Sequence, residues 1–159
     1  MTRNLNDPNH PCPCCSTKLF KDCCQPLHLG EIFAQSPAQL MRSRFSAFYM
    51  ENYEYLISTH HVDYLCGLTE QTLRDSPSPQ WLTLEVLSES ESKNQGHVCF
   101  QAWFRADGEL DAIHECSDFI KQGGQWYYTE GKQKAAVFPK RNEPCVCGSN
   151  KKFKQCCLA

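Results

Sequence analysis

Near one end of the chain stands Pro144-Cys145-Val146-Cys147-Gly148-Ser149-Asn150-Lys151-Lys152-Phe153-Lys154-Gln155-Cys156-Cys157. Near the other stands Pro11-Cys12-Pro13-Cys14-Cys15-Ser16-Thr17-Lys18-Leu19-Phe20-Lys21-Asp22-Cys23-Cys24. Nine of the fourteen positions are identical without a gap: a proline, four cysteines, a serine, two lysines and a phenylalanine. The shared pattern is C-x-C, eight residues, then C-C. Four sulfurs from so short a segment suit a metal that takes four ligands at the corners of a tetrahedron, about 2.3 Å from each sulfur. C-x-C supplies two thiolates from one tight turn. Gly148 then permits positive φ, and Ser149 is placed to cap a short helix over residues 150–155 that delivers Cys156 and Cys157. Phe153 is the one large apolar side chain the unit can bury. A unit this small has no adequate core of its own, so bound metal must supply most of its folding energy.

The ligands read from the repeat are Cys12, Cys14, Cys23 and Cys24 in the first copy and Cys145, Cys147, Cys156 and Cys157 in the second. An unligated reactive cluster and a disulfide pair are the alternatives. In the first copy Cys15 stands where the second has Gly148. It is a less comfortable residue for the turn and a spare thiol that could replace Cys14, although alignment of the copies favours Cys14. Zinc is the default occupant of an all-sulfur tetrahedral site, two ions per chain, and iron takes the same ligands.

The remaining composition is ordinary: 159 residues, 41% hydrophobic, 21% charged, with a formal net charge of −2. That fits one globular domain with small additions and excludes a globally basic nucleic-acid binder. Aromatic residues at 11%, with no heptad or triplet repeat, exclude coiled-coil, collagen and disordered chains. No apolar run reaches the roughly 20 residues of a membrane helix, and residues 1–10 lack the apolar stretch of an export signal. Without such a signal, twelve cysteines point to metal in a reducing cytoplasm rather than to disulfides. Cys66, Cys99 and Cys116 lie singly between the clusters, where small buried hydrophobes are expected.

The two knuckles differ in charge. Residues 140–159 carry Lys140, Arg141, Lys151, Lys152 and Lys154 against Glu143, and remain near +2 after a divalent metal and four thiolates add −2. Residues 1–26 fall from +1 to about −1 on the same count. Lys151, Lys152 and Lys154 are therefore the candidate contact for an acidic partner, against the plainer reading that they only solvate the site.

The segment 144–157 resembles the SEC-C motif, the zinc-binding tail of the SecA translocation motor. Two copies in a chain of this size resemble the YchJ family of bacterial SEC-C proteins. Leu40-Met41-Arg42-Ser43-Arg44-Phe45-Ser46-Ala47-Phe48 is similar to a segment of that family as well. The departures are Cys15 for glycine and Leu19 for lysine in the first copy. The resemblance implies a protein partner, an export chaperone first and the ribosome second, because the tail of the motor binds both.

Between the knuckles the pattern reads α+β. Ser36-Pro37 starts a helix carrying Leu40, Met41, Phe45, Phe48 and Tyr49 at helical spacing. A second helix is expected from about Asn52, and a third from Thr69 to the turn at Ser76-Pro77-Ser78-Pro79. Strands follow over 81–87, 98–104, 110–120 and 125–128, with 88–96 as a polar turn, Asp107-Gly108 as a hairpin and Gln122-Gly123-Gly124 as another turn. Helices first and an antiparallel meander second is an α+β order. The family resemblance implies the cone-shaped fold of nuclear transport factor 2. The domain reading is 1–28 for the first knuckle, 29–138 for the cone and 139–159 for the second knuckle.

Alternation along 113–119 puts Ile113, Glu115, Ser117 and Phe119 on one face. A carboxylate among apolar residues can serve as a base, and Arg42, Arg44, His60 and His61 from the helices are candidates to meet it. Trp126 and Tyr128 complete the candidate pocket. The plainer reading pairs Glu115 with Arg42 or Arg44 for structure. No nucleophile elbow, phosphate loop or dinucleotide fingerprint is present. The reading that results is a zinc-binding adaptor whose knuckles recognise a protein, with the cone domain spacing them. Its rival is a small-molecule enzyme or binder working through the cone. Nucleic-acid binding is disfavoured because the basic excess is confined to one short segment.

Overall fold

The computed structural model describes residues 7–159. Residues 1–6, where the reading of an absent export signal begins, lie outside the described residues. After the first knuckle, helix α1 (Gln25–His28) leads to α2 (Pro37–Tyr49), α3 (Tyr53–Ser58) and α4 (Glu70–Asp75). Strands β1 (Gln80–Ser92), β2 (Gln95–Ala106), β3 (Glu109–Gln122) and β4 (Gln125–Lys134) then form one antiparallel meander in sequence order. The second knuckle closes the chain.

Helices α2, α3 and α4 each start on the capping residue the sequence supplies. Ser36 accepts from the Gln39 amide at 3.1 Å with Pro37 in the first turn. Asn52 accepts from Tyr55 at 3.2 Å, and Thr69 from Thr72 at 3.1 Å. These caps satisfy amides that the first helical turn cannot. Helix α2 buries Leu40, Met41, Phe45 and Ala47 against the concave face of the sheet, where Leu84, Val98, Phe100, Ala102 and Phe119 complete the core. Register shifts at Trp81/Thr83 and Val86/Ser88 in β1 and at Ser117/Phe119 in β3 bend the sheet around the helices.

Two glycines permit close approaches. A Cβ on Gly96 would lie 2.2 Å from Pro37 Cγ, so Gly96 lets the start of α2 rest on the sheet. A Cβ on Gly131 would lie 2.0 Å from Glu115 Oε1, so Gly131 makes room for that carboxylate.

Two expectations are corrected. Residues 88–96 are not a turn: β1 and β2 stay paired out to Ser92↔Gln95, and the turn is confined to Lys93-Asn94. The stretch 88–92 is exposed and polar, so burial periodicity is missing where only the backbone ladder holds the strands. Cys99 and Cys116 are not lone hydrophobes. They are direct partners across β2 and β3 and form a disulfide. Cys66 is exposed, with φ +50°. No helix among the described residues is long and apolar enough to cross a membrane.

Candidate metal centres

The repeat in sequence is a repeat in structure. Cys12 N donates to Lys18 O at 2.8 Å, and Cys145 N to Lys151 O at 2.8 Å. Phe20 N donates to His10 O at 2.9 Å, and Phe153 N to Glu143 O at 2.8 Å. A single 3-10 turn follows in each copy, Phe20–Asp22 and Phe153–Gln155, and both phenylalanines are buried. Ser149 does not cap this turn as expected. Its hydroxyl sits 3.2 Å from Cys156 Sγ, as that of Ser16 sits 3.1 Å from Cys23 Sγ, and each accepts from the lysine amide two residues on. The serines therefore orient a sulfur rather than a helix.

In each copy the four sulfurs converge within 4.8 Å of one another. Neighbouring sulfurs are 3.6 Å apart for Cys14–Cys23, 3.9 Å for Cys23–Cys24, 3.4 Å for Cys147–Cys156 and 4.0 Å for Cys156–Cys157. A tetrahedral ion at about 2.3 Å from each sulfur requires separations of about 3.8 Å. Both donor sets thus fit a four-coordinate thiolate-bound metal. Four thiols so close cannot ionise together without a cation among them. Hydrogen bonding from Cys12, then from Cys24, draws Cys14 down to about 2. The bond to Cys14 pushes Cys12 up to about 12, and the bond to Cys12 heads the causes that raise Cys24.

Cys15 lies outside the first cluster. It adopts φ +64° where Gly148 has +81°, so the turn takes the left-handed conformation whichever residue occupies it. Its exposed sulfur accepts from the Leu84 amide of β1 at 3.5 Å. Thr83, the preceding residue, donates its hydroxyl to Val146 O of the second knuckle. The two knuckles are therefore not spaced apart by the domain: they dock on consecutive residues of one edge strand.

Side chains of the domain reach both clusters. Ser46 of α2 donates to Cys24 Sγ at 3.4 Å and lies 3.6 Å from Cys12 Sγ, and Arg42 donates to Cys14 O at 2.9 Å. Arg105 of β2 donates to Cys157 Sγ at 2.7 Å, placing a guanidinium against the second sulfur cluster. Such contacts orient and electrostatically support metal ligands. The sites differ in cover: Cys12, Cys14 and Cys24 are buried, but only Cys145 is in the second. Ser46 and Arg42 stood in the quoted segment 40–48 without an assigned role towards the metal. Arg105 and Thr83 carried no signal, because only the fold brings them to the second knuckle.

The candidate pocket is divided by the structure. Arg44, Glu115, Ser117, Tyr128 and His60 line one cavity of about 290 Å³ between α2 and the sheet. Arg42 points to the first knuckle because residues two apart in a helix face away from one another. His61 Nε2 is instead 2.6 Å from Gln122 Oε1, outside this cavity. Trp126 lines a separate cavity of about 300 Å³ with Leu27, Leu40 and Tyr55. Glu115 is not ion-paired to either arginine. It accepts from Ser117 Oγ at 2.8 Å, from Tyr128 Oη at 2.9 Å and from Gln133 Nε2. Desolvation, followed by the adjacent Glu115 charge, raises the Tyr128 hydroxyl. Gln133 was missed because it lies beyond the bulge in β3–β4 that brings it opposite Glu115.

Comparison with known proteins bears on this arrangement. Residues 36–131 match the family described as YchJ, middle NTF2-like domain, and residues 141–159 match the SEC-C motif. A UPF0225 protein of Shewanella sp. (strain ANA-3) is 51% identical over 156 residues, covering 92% of this chain and 95% of its own. The chain belongs to the YchJ family. A UPF0225 relative from Vibrio cholerae is 38% identical, covering 92% of this chain and 98% of its own. Among solved structures, a SEC-C motif protein from Rhodopseudomonas palustris superposes with TM-score 0.73 at 35% identity, covering 80% of this chain and all (100%) of that one. One from Psychrobacter arcticus gives 0.67 at 31%, covering 95% and 97%. This YchJ-family chain is thus an NTF2-like α+β domain carrying a four-cysteine cluster near each terminus.

Proposed function

We propose that the protein is a zinc-binding adaptor, and that its paired knuckles form one docking platform for an acidic protein, with a protein-export chaperone as the foremost partner. Two zinc ions, one in each four-cysteine set, hold the platform together. The observation that carries this reading is the shared footing of the knuckles on Thr83 and Leu84, combined with the exposure of Lys151, Lys152 and Lys154 beside the second cluster. Each zinc with four thiolates brings −2, which Arg105 offsets at Cys157, so the lysines remain available to a partner. Basic side chains on a metal-rigidified turn offer a preorganised surface with little ordering cost on binding.

Titration of the zinc-loaded protein against purified export chaperone tests this reading. Replacing Lys151, Lys152 and Lys154 together by glutamine should weaken binding about tenfold or more and flatten its salt dependence, with metal content unchanged. No binding by the native protein, or binding equally strong and equally salt-sensitive in the variant, would remove the platform reading.

A further inference from the structure

We propose that the cone cavity is a binding site for a small apolar monocarboxylate, with Arg44 as the anchor for its carboxylate. Arg44 is 5% exposed and lines the cavity. Its guanidinium is fixed from two sides. Nη1 donates to Leu56 O at 2.8 Å and Thr59 Oγ1 at 2.7 Å, and Cζ lies over the Tyr128 ring, 4.7 Å from its centroid. Among the described residues no carboxylate lies within 4.0 Å of it, and neither Nη2 nor Nε makes a hydrogen bond. A buried charge is ordinarily paired. Glu115 does not fill this role because its oxygens are engaged by Ser117, Tyr128 and Gln133.

A fixed guanidinium with an unused edge suits a planar two-oxygen anion. Burial lowers Arg44 only to about 10, so it stays charged at neutral pH. Burial, then the charge of Arg44, keeps His60 below its usual range, so His60 adds no second cation near neutrality. The Glu115 charge, on the sheet side of the same cavity, disfavours dianions such as phosphate esters and dicarboxylates. Phe45, Phe48, Trp81 and Ile113 supply an apolar wall for the rest of the molecule. A volume of about 290 Å³ is at the lower limit of ligand pockets, which restricts the body to one ring or a short branched chain.

Calorimetric titration of the metal-loaded full chain with phenylacetate and isovalerate, each beside its primary amide, tests the proposal. At least one acid should bind saturably and about tenfold or more tighter than its amide, the loss expected when a charge-assisted hydrogen-bonded pair is removed. Arg44→Lys should lower acid affinity by a similar factor. Because that variant removes buried contacts, Ile113→Trp provides an independent check: it fills the cavity from the opposite wall, leaves Arg44 intact and should abolish binding of the acid. The proposal is overturned by acid and amide binding alike, by neither acid saturating in the millimolar range, or by undiminished binding in Ile113→Trp.

Discussion

Gly131→Ala isolates the packing of the buried carboxylate in the cone. The new Cβ would meet Glu115 Oε1 at 2.0 Å, Cδ at 2.4 Å and Cγ at 2.7 Å. Gly131 is not among the residues with positive φ, so alanine meets no backbone obstacle, and by restricting the unfolded chain it would stabilise by about 0.4–1 kcal/mol. The carboxylate must instead swing away from Ser117, Tyr128 and Gln133. Hydrogen bonds to a charged group contribute about 1.5–3 kcal/mol each. With some remade after displacement, a net loss of about 3 kcal/mol is expected, equivalent to a Tm lower by roughly 6–12 °C. Urea titration of the metal-loaded protein measures it. In a Glu115→Ala background the obstacle is gone, and Gly131→Ala should be neutral or slightly stabilising. An equal loss in both backgrounds would show that the backbone, not the carboxylate, requires glycine, and would refute the reasoning.

Three further outcomes concern the cysteine clusters and the half-buried His28. The more exposed second cluster should release its ion to a chelator first, and Arg105→Ala should weaken that site by about 10–100-fold while sparing the first, as metal-retention titrations would record. Ser46→Ala should do the converse, weakening the first site alone through Cys12 and Cys24, read in the same titration. Burial lowers His28 below its usual 6.5, and its Nε2 donates to Ser43 O at 2.8 Å. The unfolded chain therefore takes up the proton first. Stability from this group is complete above about 6.5 and is lost as pH falls through the window beneath it, so the urea midpoint should drop between about pH 7 and 5.5 and drop less in His28→Gln, with metal content checked at each pH.

What the sequence could reveal follows from how local each feature is. The knuckles were legible because fourteen contiguous residues contain the whole unit, turn and four clustered cysteines included. The helix starts were legible because Ser36, Asn52 and Thr69 cap within three residues of themselves. The outer half of the first hairpin was not, because its exposed strands carry no burial period. The Cys99–Cys116 pair was hidden for a related reason: its partners are separated by 17 residues and meet only through strand register. The pocket was partly legible. Alternation along β3 placed Glu115 and Ser117 on one face, but the partners of Arg42 and Glu115 depend on helix rotation and a bulge. The docking of both knuckles on β1 had no signal, since Thr83 and Leu84 look like any strand residues.

The presence of two complete metal sites in one chain is tested most directly by native mass spectrometry of protein purified without chelator. Two divalent ions per chain are expected for the native sequence, and one each for Cys24→Ser and Cys156→Ser, with the retained ion in the untouched cluster. One ion or none on the native chain, or loss of both ions from either single variant, would contradict two separately complete four-cysteine sites.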